Sequence, residues 1–265
     1  MNPKERQIFC LPLLYIIRYM ELHILGSGSA GNGYIIQNEN EAIILECGIP
    51  FKVAAKALNN NLAKVKGCLV THGHGDHAKY IKQYAKTFNI YTTAGTLKEI
   101  HIEDNSFHFH SVTYFEELKI GGFSIVPFAT QHDTSEPCGF LVYHADMGAL
   151  LFATDTYSLA YKFMALHLNH IMIECNHQEE LVERSVYSGT IPQSIGERIK
   201  QTHMSLDRCI DFLHDCDLSN TTELILLHMS DNNSQPVEFQ KEIIRATGKN
   251  AIIAQAGLIV DLIKL

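Results

Sequence analysis

Apolar residues along this chain gather in short β-type runs, with turn residues between the runs. The pattern predicts strands over 21–25, 34–37 and 42–45, the first two joined by the glycine-rich turn 26–33. Residues 51–58 have helical spacing, and 67–70 form a buried strand that runs straight into Thr71-His-Gly-His-Gly-Asp-His77. An amphipathic helix is predicted over 78–88, then short strands over 123–127, 140–143 and 149–153. Helical stretches alternate with strands 171–174 and 223–227, and a helix over 236–246 precedes the last strands, 251–254 and 258–262. Many strands with interspersed helices predict an α/β layered architecture. No linker or low-complexity stretch interrupts 20–265, so one domain is expected there. His203-Met-Ser-Leu and His228-Met-Ser-Asp echo each other as two similar loops rather than as a repeat.

Residues 1–19 stand apart. A charged start and about ten apolar residues resemble a secretion signal, but Pro12 interrupts the run and Ile16-Ile17-Arg18 replaces the small residues of a cleavage site. They are read as an N-terminal extension or alternative start, open to disorder. No apolar run approaches the roughly 20 residues that span a bilayer, so no stable membrane association is expected. A hydrophobic share of 46% and a charged share of 19% exclude a disordered chain. The net charge of −8 excludes a broadly basic, nucleic-acid-coating surface but leaves room for a local basic groove. Seven cysteines, an odd number without a paired CxxC, read as reduced core residues of a cytoplasmic protein.

Fifteen histidines in 265 residues point to metal chemistry, and one loop concentrates them. His72, His74, Asp76 and His77 lie where an apolar strand ends and a loop begins, the usual place for a site on a rigid scaffold. Histidines two apart can point the same way from extended chain. The glycines between them let the backbone bend, so that Asp76 and His77 can face a second ion. Imidazole with carboxylate suits zinc, manganese or iron rather than calcium. One loop rarely completes a coordination shell. The remaining donors are sought directly after apolar strands, at His132-Asp133, Asp155 and His228.

HxHxDH followed in order by His, Asp and His resembles the metallo-β-lactamase superfamily, and residues 20–265 carry the pattern end to end. The resemblance implies a four-layer αββα sandwich and two divalent ions, zinc or manganese. His72, His74 and His132 would hold one, Asp76, His77 and His228 the other, and Asp155 would bridge them. One departure stands out: Glu46-Cys-Gly48 replaces the usual Asp-x-Gly, whose acid braces the metal loop, so a longer side chain should shift that bracing.

Aspartate rather than cysteine at the bridge is similar to the phosphodiesterase, lactonase and thioesterase branches. Asp155 and His228 are 73 positions apart, too close for the extra domain of the large nucleases. The strings 25–32, 174–177, 201–205 and 227–233 are similar to the YycJ/WalJ group of small bacterial exonucleases. That resemblance implies a dinuclear metal-dependent hydrolase, a phosphodiesterase or 5′-to-3′ exonuclease acting on linear or single-stranded DNA ends through a metal-bridging hydroxide. Asp76 and His203 are then the candidate catalytic residues, with His203 protonating the leaving oxygen or touching phosphate. His177, His203, Ser230 and Asn232 are candidate substrate-binding residues, and Ser205 caps a helix start suited to phosphate. Lys79, Lys82 and Lys86 would share one helix face, and Arg198, Lys200 and Arg208 bracket His203. The turn 26–33 lacks the features of a phosphate loop and reads as a tight strand connection. The alternatives are a hydrolase of a small substrate (a cyclic nucleotide, lactone or thioester) and a non-catalytic metal-binding module. Oligomeric state is left open.

Overall fold

The computed structural model describes residues 20–103 and 106–264, so the expected extension over 1–19 lies outside the described residues. The first half of the chain forms β1 (Met20–Gly26), β2 (Gly33–Gln37), β3 (Ala42–Leu45), α1 (Phe51–Ala57), β4 (Val65–Leu69), α2 (Gly75–Ala78), α3 (Ile81–Tyr84), β5 (Ile90–Thr93), α4 (Ala94–Glu99) and β6 (Phe109–Val112). The second half forms β7 (Leu118–Ile120), β8 (Phe123–Ala129), β9 (Cys138–His144), β10 (Gly148–Ala153), β11 (His170–Glu174), α5 (Glu179–Tyr187), α6 (Gln193–Thr202), α7 (Leu206–His214), β12 (Glu223–Leu227), α8 (Pro236–Thr247), β13 (Asn250–Ile253) and β14 (Ile259–Leu262).

Two seven-stranded sheets result, in the orders β14-β1-β2-β3-β4-β5-β6 and β13-β12-β11-β10-β9-β8-β7. Each is antiparallel on one side and parallel on the other, β3 to β6 in the first and β10 to β13 in the second. The alternation of buried residues assigns the layers. Ile36, Ile43 and Leu69 face Phe140, Leu150, Phe152 and Leu227 between the sheets. Their neighbours Ile35, Ile44 and Cys68 point the other way, against Ala54, Ile81 and Tyr84 of the helices. On the far side Leu151, Ile173 and Leu226 pack against Cys209, Phe212, Phe239 and Ile243 of α7 and α8. Three cores separate four layers, the αββα sandwich that the resemblance implied. Phe152 ties the sheets together, edge-on to Tyr34 with centroids 5.6 Å apart, and its truncation to alanine should cost about 3–5 kcal/mol.

The helix expected over 78–88 is instead two short pieces, α2 and α3, broken at Tyr80. The Tyr80 amide donates to the Cys47 carbonyl at 3.0 Å, and the His77 carbonyl accepts from the Cys47 amide at 2.7 Å. The loop after β3 thus takes hydrogen bonds that a continuous helix would need. Lys79, Lys82 and Lys86 are exposed but do not share one face of a single helix. Strands β5, β6 and β7 were not delimited from the sequence. Strand β6 is half-buried throughout and carries His110 and Ser111, so its pattern is weak. The six cysteines among the described residues are free and buried. No helix among the described residues is long and apolar enough to cross a membrane.

Candidate metal centre

The site is assembled at the carboxyl ends of strands. β4 leads into His72–His77, β8 is followed by His132, and β10 by Asp155. β11 ends on Glu174, and β12 is followed by His228. Three residues just past strand ends have positive φ: Glu46 at 69°, Asp155 at 45° and His228 at 50°. Such left-handed backbone costs a non-glycine residue free energy, and it persists where surrounding contacts over-determine it. Here it turns side chains sharply off the sheet edge. Gly48 lets the loop after β3 press against the metal loop, since a Cβ there would fall 1.7 Å from the Asp76 carbonyl oxygen.

The seven residues expected to bind metal form two groups. In the first, His74 Nδ1 lies 3.2 Å from His72 Nε2 and 3.1 Å from His132 Nε2. Tetrahedral coordination at the usual zinc–nitrogen distance sets nitrogens about 3.3 Å apart, so the three rings already stand as ligands would. In the second, Asp76 Oδ2 is 3.4 Å from His77 Nε2 and 3.3 Å from His228 Nε2. Asp155 lies between the groups: Oδ1 is 3.3 Å from His77 Nε2, while Oδ2 is 3.7 Å from His132 Nε2. Both groups could hold a metal ion. His228 Nε2 is buried without a hydrogen-bond partner among the described residues, an arrangement that a cation would relieve.

Electrostatics points the same way. Burial opposes charge on His77, yet Asp155 and Glu46 push its pKa well above the ordinary value. Burial opposes charge on His228 too, but Asp155, Asp76 and Glu174 raise it to about 10. Asp76 is held well below the usual carboxylate range: burial works against this, and the close His228 and His77 rings prevail. His72, lowered by burial and by His77, and His132, lowered mainly by burial, stay neutral as ligands must. Without a cation the second group keeps its carboxylates charged by loading protons onto its histidines, so the donor set fits a divalent ion.

Supports surround both groups. His132 Nδ1 donates to the Thr202 carbonyl at 2.9 Å, which leaves Nε2 for the cluster. Glu46 is fully buried, with Oε2 3.5 Å from His77 Nδ1, so the longer acid still reaches the ring that it is expected to brace. The glycine-rich turn does more than join strands. Asn32 Nδ2 sits 2.9 Å from His77 Nε2, and the Ser27 hydroxyl accepts the His228 amide at 2.9 Å.

Sequence reasoning gave Glu174 no role, although it ends an apolar strand as the other site acids follow theirs. It is fully buried and accepts from His203 Nδ1 at 2.7 Å, from the Thr156 amide at 2.7 Å and from the Met204 amide at 3.2 Å. Its Oε1 is also 3.4 Å from His228 Nδ1. Glu174, His203, Asp155 and His228 form a third group with metal-ligand spacing. The short Glu174–His203 contact fills the space between them as a hydrogen bond. Burial opposes charge on His203, but Glu174 raises its pKa above the ordinary value.

The other candidates fare unevenly. Ser205 caps α7, accepting the Arg208 amide at 3.4 Å. His177 is fully buried, neither ring nitrogen has a hydrogen-bond partner among the described residues, and burial lowers its pKa to about 4. Ser230 spends its hydroxyl on Asn233 within its own turn, and Asn232 is exposed with its carbonyl turned to Ser185. Neither is seen to touch the clusters.

Residues 26–157 match the Metallo-beta-lactamase superfamily, so the chain carries a metallo-β-lactamase domain, in keeping with the fold and the two donor groups. Within that class it is similar to exodeoxyribonuclease YycJ of Bacillus anthracis, 28% identical over 232 residues, which covers 81% of this chain and 85% of that protein. It is similar also to exodeoxyribonuclease WalJ of Streptococcus pneumoniae serotype 2 (strain D39 / NCTC 7466), 24% identical over 89% of this chain and 88% of the relative. Among solved structures, the metallo-beta-lactamase fold protein YhfI from Bacillus subtilis matches with a TM-score of 0.69 at 16% identity, over 92% of this chain and 99% of that one. At that identity the likeness speaks for the fold alone.

Proposed function

We propose that this protein is a dinuclear metal-dependent phosphodiesterase, an exonuclease that trims DNA ends. The observation that carries the reading is Asp155, with one oxygen facing each donor group. His72, His74 and His132 would hold one ion, and Asp76, His77 and His228 the other. Two divalent ions, zinc or manganese, would supply Lewis-acid charge and lower the pKa of water. The names of the YycJ and WalJ relatives, similar along most of the chain, support DNA as the substrate.

The chain's own residues supply the remaining chemistry. His203 commits Nδ1 to Glu174, so its other nitrogen is the one that can give a proton to the leaving oxygen. Glu174 raises the proton affinity of that ring and fixes its direction. Asp76, whose side chain is 21% exposed, is the more exposed carboxylate of its group, and it stays charged without a proton. Buried free cysteines support a reducing compartment, the cytoplasm.

The test is one assay with manganese or zinc on four substrates: linear DNA, RNA, bis-p-nitrophenyl phosphate and a lactone. Cleavage of DNA and of the phosphodiester is expected. Lactone turnover without phosphodiester cleavage would transfer the site to a small-molecule hydrolase, and no turnover with bound metal would leave a binding module.

A further inference from the structure

Beside the histidine cluster stands an ion pair that the metal reading does not use. Asp133 follows His132 directly, and its Oδ1 lies 3.4 Å from His132 Nε2 and 3.9 Å from His74 Nε2. From α6, Arg198 grips this carboxylate as a fork, Nε to Oδ2 at 2.7 Å and Nη2 to Oδ1 at 3.2 Å. The same helix supports His132 through the Thr202 carbonyl, and the Thr202 hydroxyl donates to the Arg198 carbonyl at 2.8 Å. One helical turn therefore ties the guanidinium to a candidate metal ligand.

The pair lies at the mouth of the site. The Arg198 side chain is 48% exposed and that of Asp133 37%. A guanidinium has five N–H donors in a rigid plane. Asp133 takes two, along the Nε–Nη2 edge, and no hydrogen bond to the other three is seen among the described residues. Other cations nearby are engaged elsewhere: Lys200 with Glu183, and Arg208 stacked 4.0 Å from the Tyr157 ring. On a chain of net charge −8, an anionic substrate needs a local cation at the entrance.

We propose that Arg198, presented by Asp133, is a phosphate clamp: its free N–H donors take the non-bridging oxygens of a phosphodiester and seat it beside His74 and His132. This rests on the phosphodiesterase reading and makes Arg198 a specificity-determining residue for that class of substrate. Planar, forked recognition of phosphate is a property of arginine that lysine lacks. Asp133 is then a positioning residue, which holds the fork at one edge and leaves the other open.

The test compares wild type, Arg198→Gln and Arg198→Lys, each loaded with manganese and checked for equal melting temperature and metal content. Binding of a fluorescein-labelled single-stranded oligonucleotide with non-hydrolysable linkages is measured by anisotropy across a salt series. Arg198→Gln should weaken binding about tenfold and flatten the slope of log affinity against log salt by about 0.7, the loss of one phosphate contact. Arg198→Lys should keep the slope and lose part of the affinity. With bis-p-nitrophenyl phosphate, KM should rise more than kcat falls. Wild-type affinity and salt slope in Arg198→Gln would overturn the clamp and leave the pair a structural pin. Failure of the phosphodiesterase reading shows differently: wild type would then cleave no phosphodiester, while oligonucleotide binding would still report on Arg198.

Discussion

Gly48→Ala tests how the metal loop is held in place. Gly48 is the point where the loop after β3 meets the loop after β4. The added Cβ would sit 1.7 Å from the Asp76 carbonyl oxygen, 2.5 Å from its carbonyl carbon and 2.8 Å from the Asn32 amide nitrogen. All three are backbone atoms, so no side chain can swing aside, and the loops must part by more than 1 Å to reach an ordinary contact. That movement strains the hydrogen bonds that join them: Asn32 amide to Asp76 carbonyl at 2.7 Å, Cys47 amide to His77 carbonyl at 2.7 Å, and Gly48 amide to Asn32 carbonyl at 3.0 Å. Overpacking of this kind costs about 1–3 kcal/mol. Loss of one or two net hydrogen bonds adds about 1–2 kcal/mol. For a domain of this size the sum lowers the melting temperature by roughly 5–15 °C. Displaced Asp76 and His77 should also weaken binding of the ion that they would share. The control lies three residues from His72: a Cβ on Gly75 meets nothing within 4 Å. Thermal melts of both variants, with metal content measured after dialysis, decide the matter. Gly75→Ala should melt like wild type and keep its metal. If Gly48→Ala also does so, the close approach of the two loops does not hold the site.

Asp76→Ala should leave the fold intact, abolish turnover and lower bound metal from two ions per chain to one, as read by elemental analysis; retained activity would make that ion dispensable. His203→Ala should reduce kcat by about 10²–10⁴-fold, the usual contribution of a general acid. A proton donor is active below its pKa, and Glu174 raises that of His203, so activity should fall on the alkaline side as pH rises through the raised value. Glu174→Gln leaves burial unopposed by that charge, and the alkaline limb should move to lower pH at saturating manganese. An unmoved limb would separate His203 from the proton transfer.

Much of this architecture is legible in the chain because strands and motif share one rule. Short continuous apolar runs end abruptly on a histidine or an acid, and those ends carry the two donor groups. His72, His74, Asp76, His77, His132, Asp155 and His228 could be singled out for that reason, and the structure brings them together. The break at Tyr80 was not legible, because the competing acceptor, the Cys47 carbonyl, is remote in sequence and local helical spacing is unaffected by it. Glu174 shows the opposite case. It ends β11 as Asp155 follows β10, but a single acid at a strand end has no local signature of its partner. Only the fold places His203 against it. Asn32 and Ser27, within an apparently plain glycine turn, reach the second donor group for the same reason. Ser230 and Asn232 illustrate the limit of proximity in sequence, since residues just past a ligand can turn back into their own loop.

The most direct test of the central claim is a time course with manganese-loaded protein on one DNA in two forms, linear with 5′-phosphorylated ends and covalently closed circular. An enzyme that works on DNA ends through these two donor groups should shorten the linear form progressively to small products and leave the circle intact, and Asp155→Ala should leave both forms intact. Equal cutting of the circle, or an untouched linear DNA beside an actively hydrolysed lactone, would contradict the account.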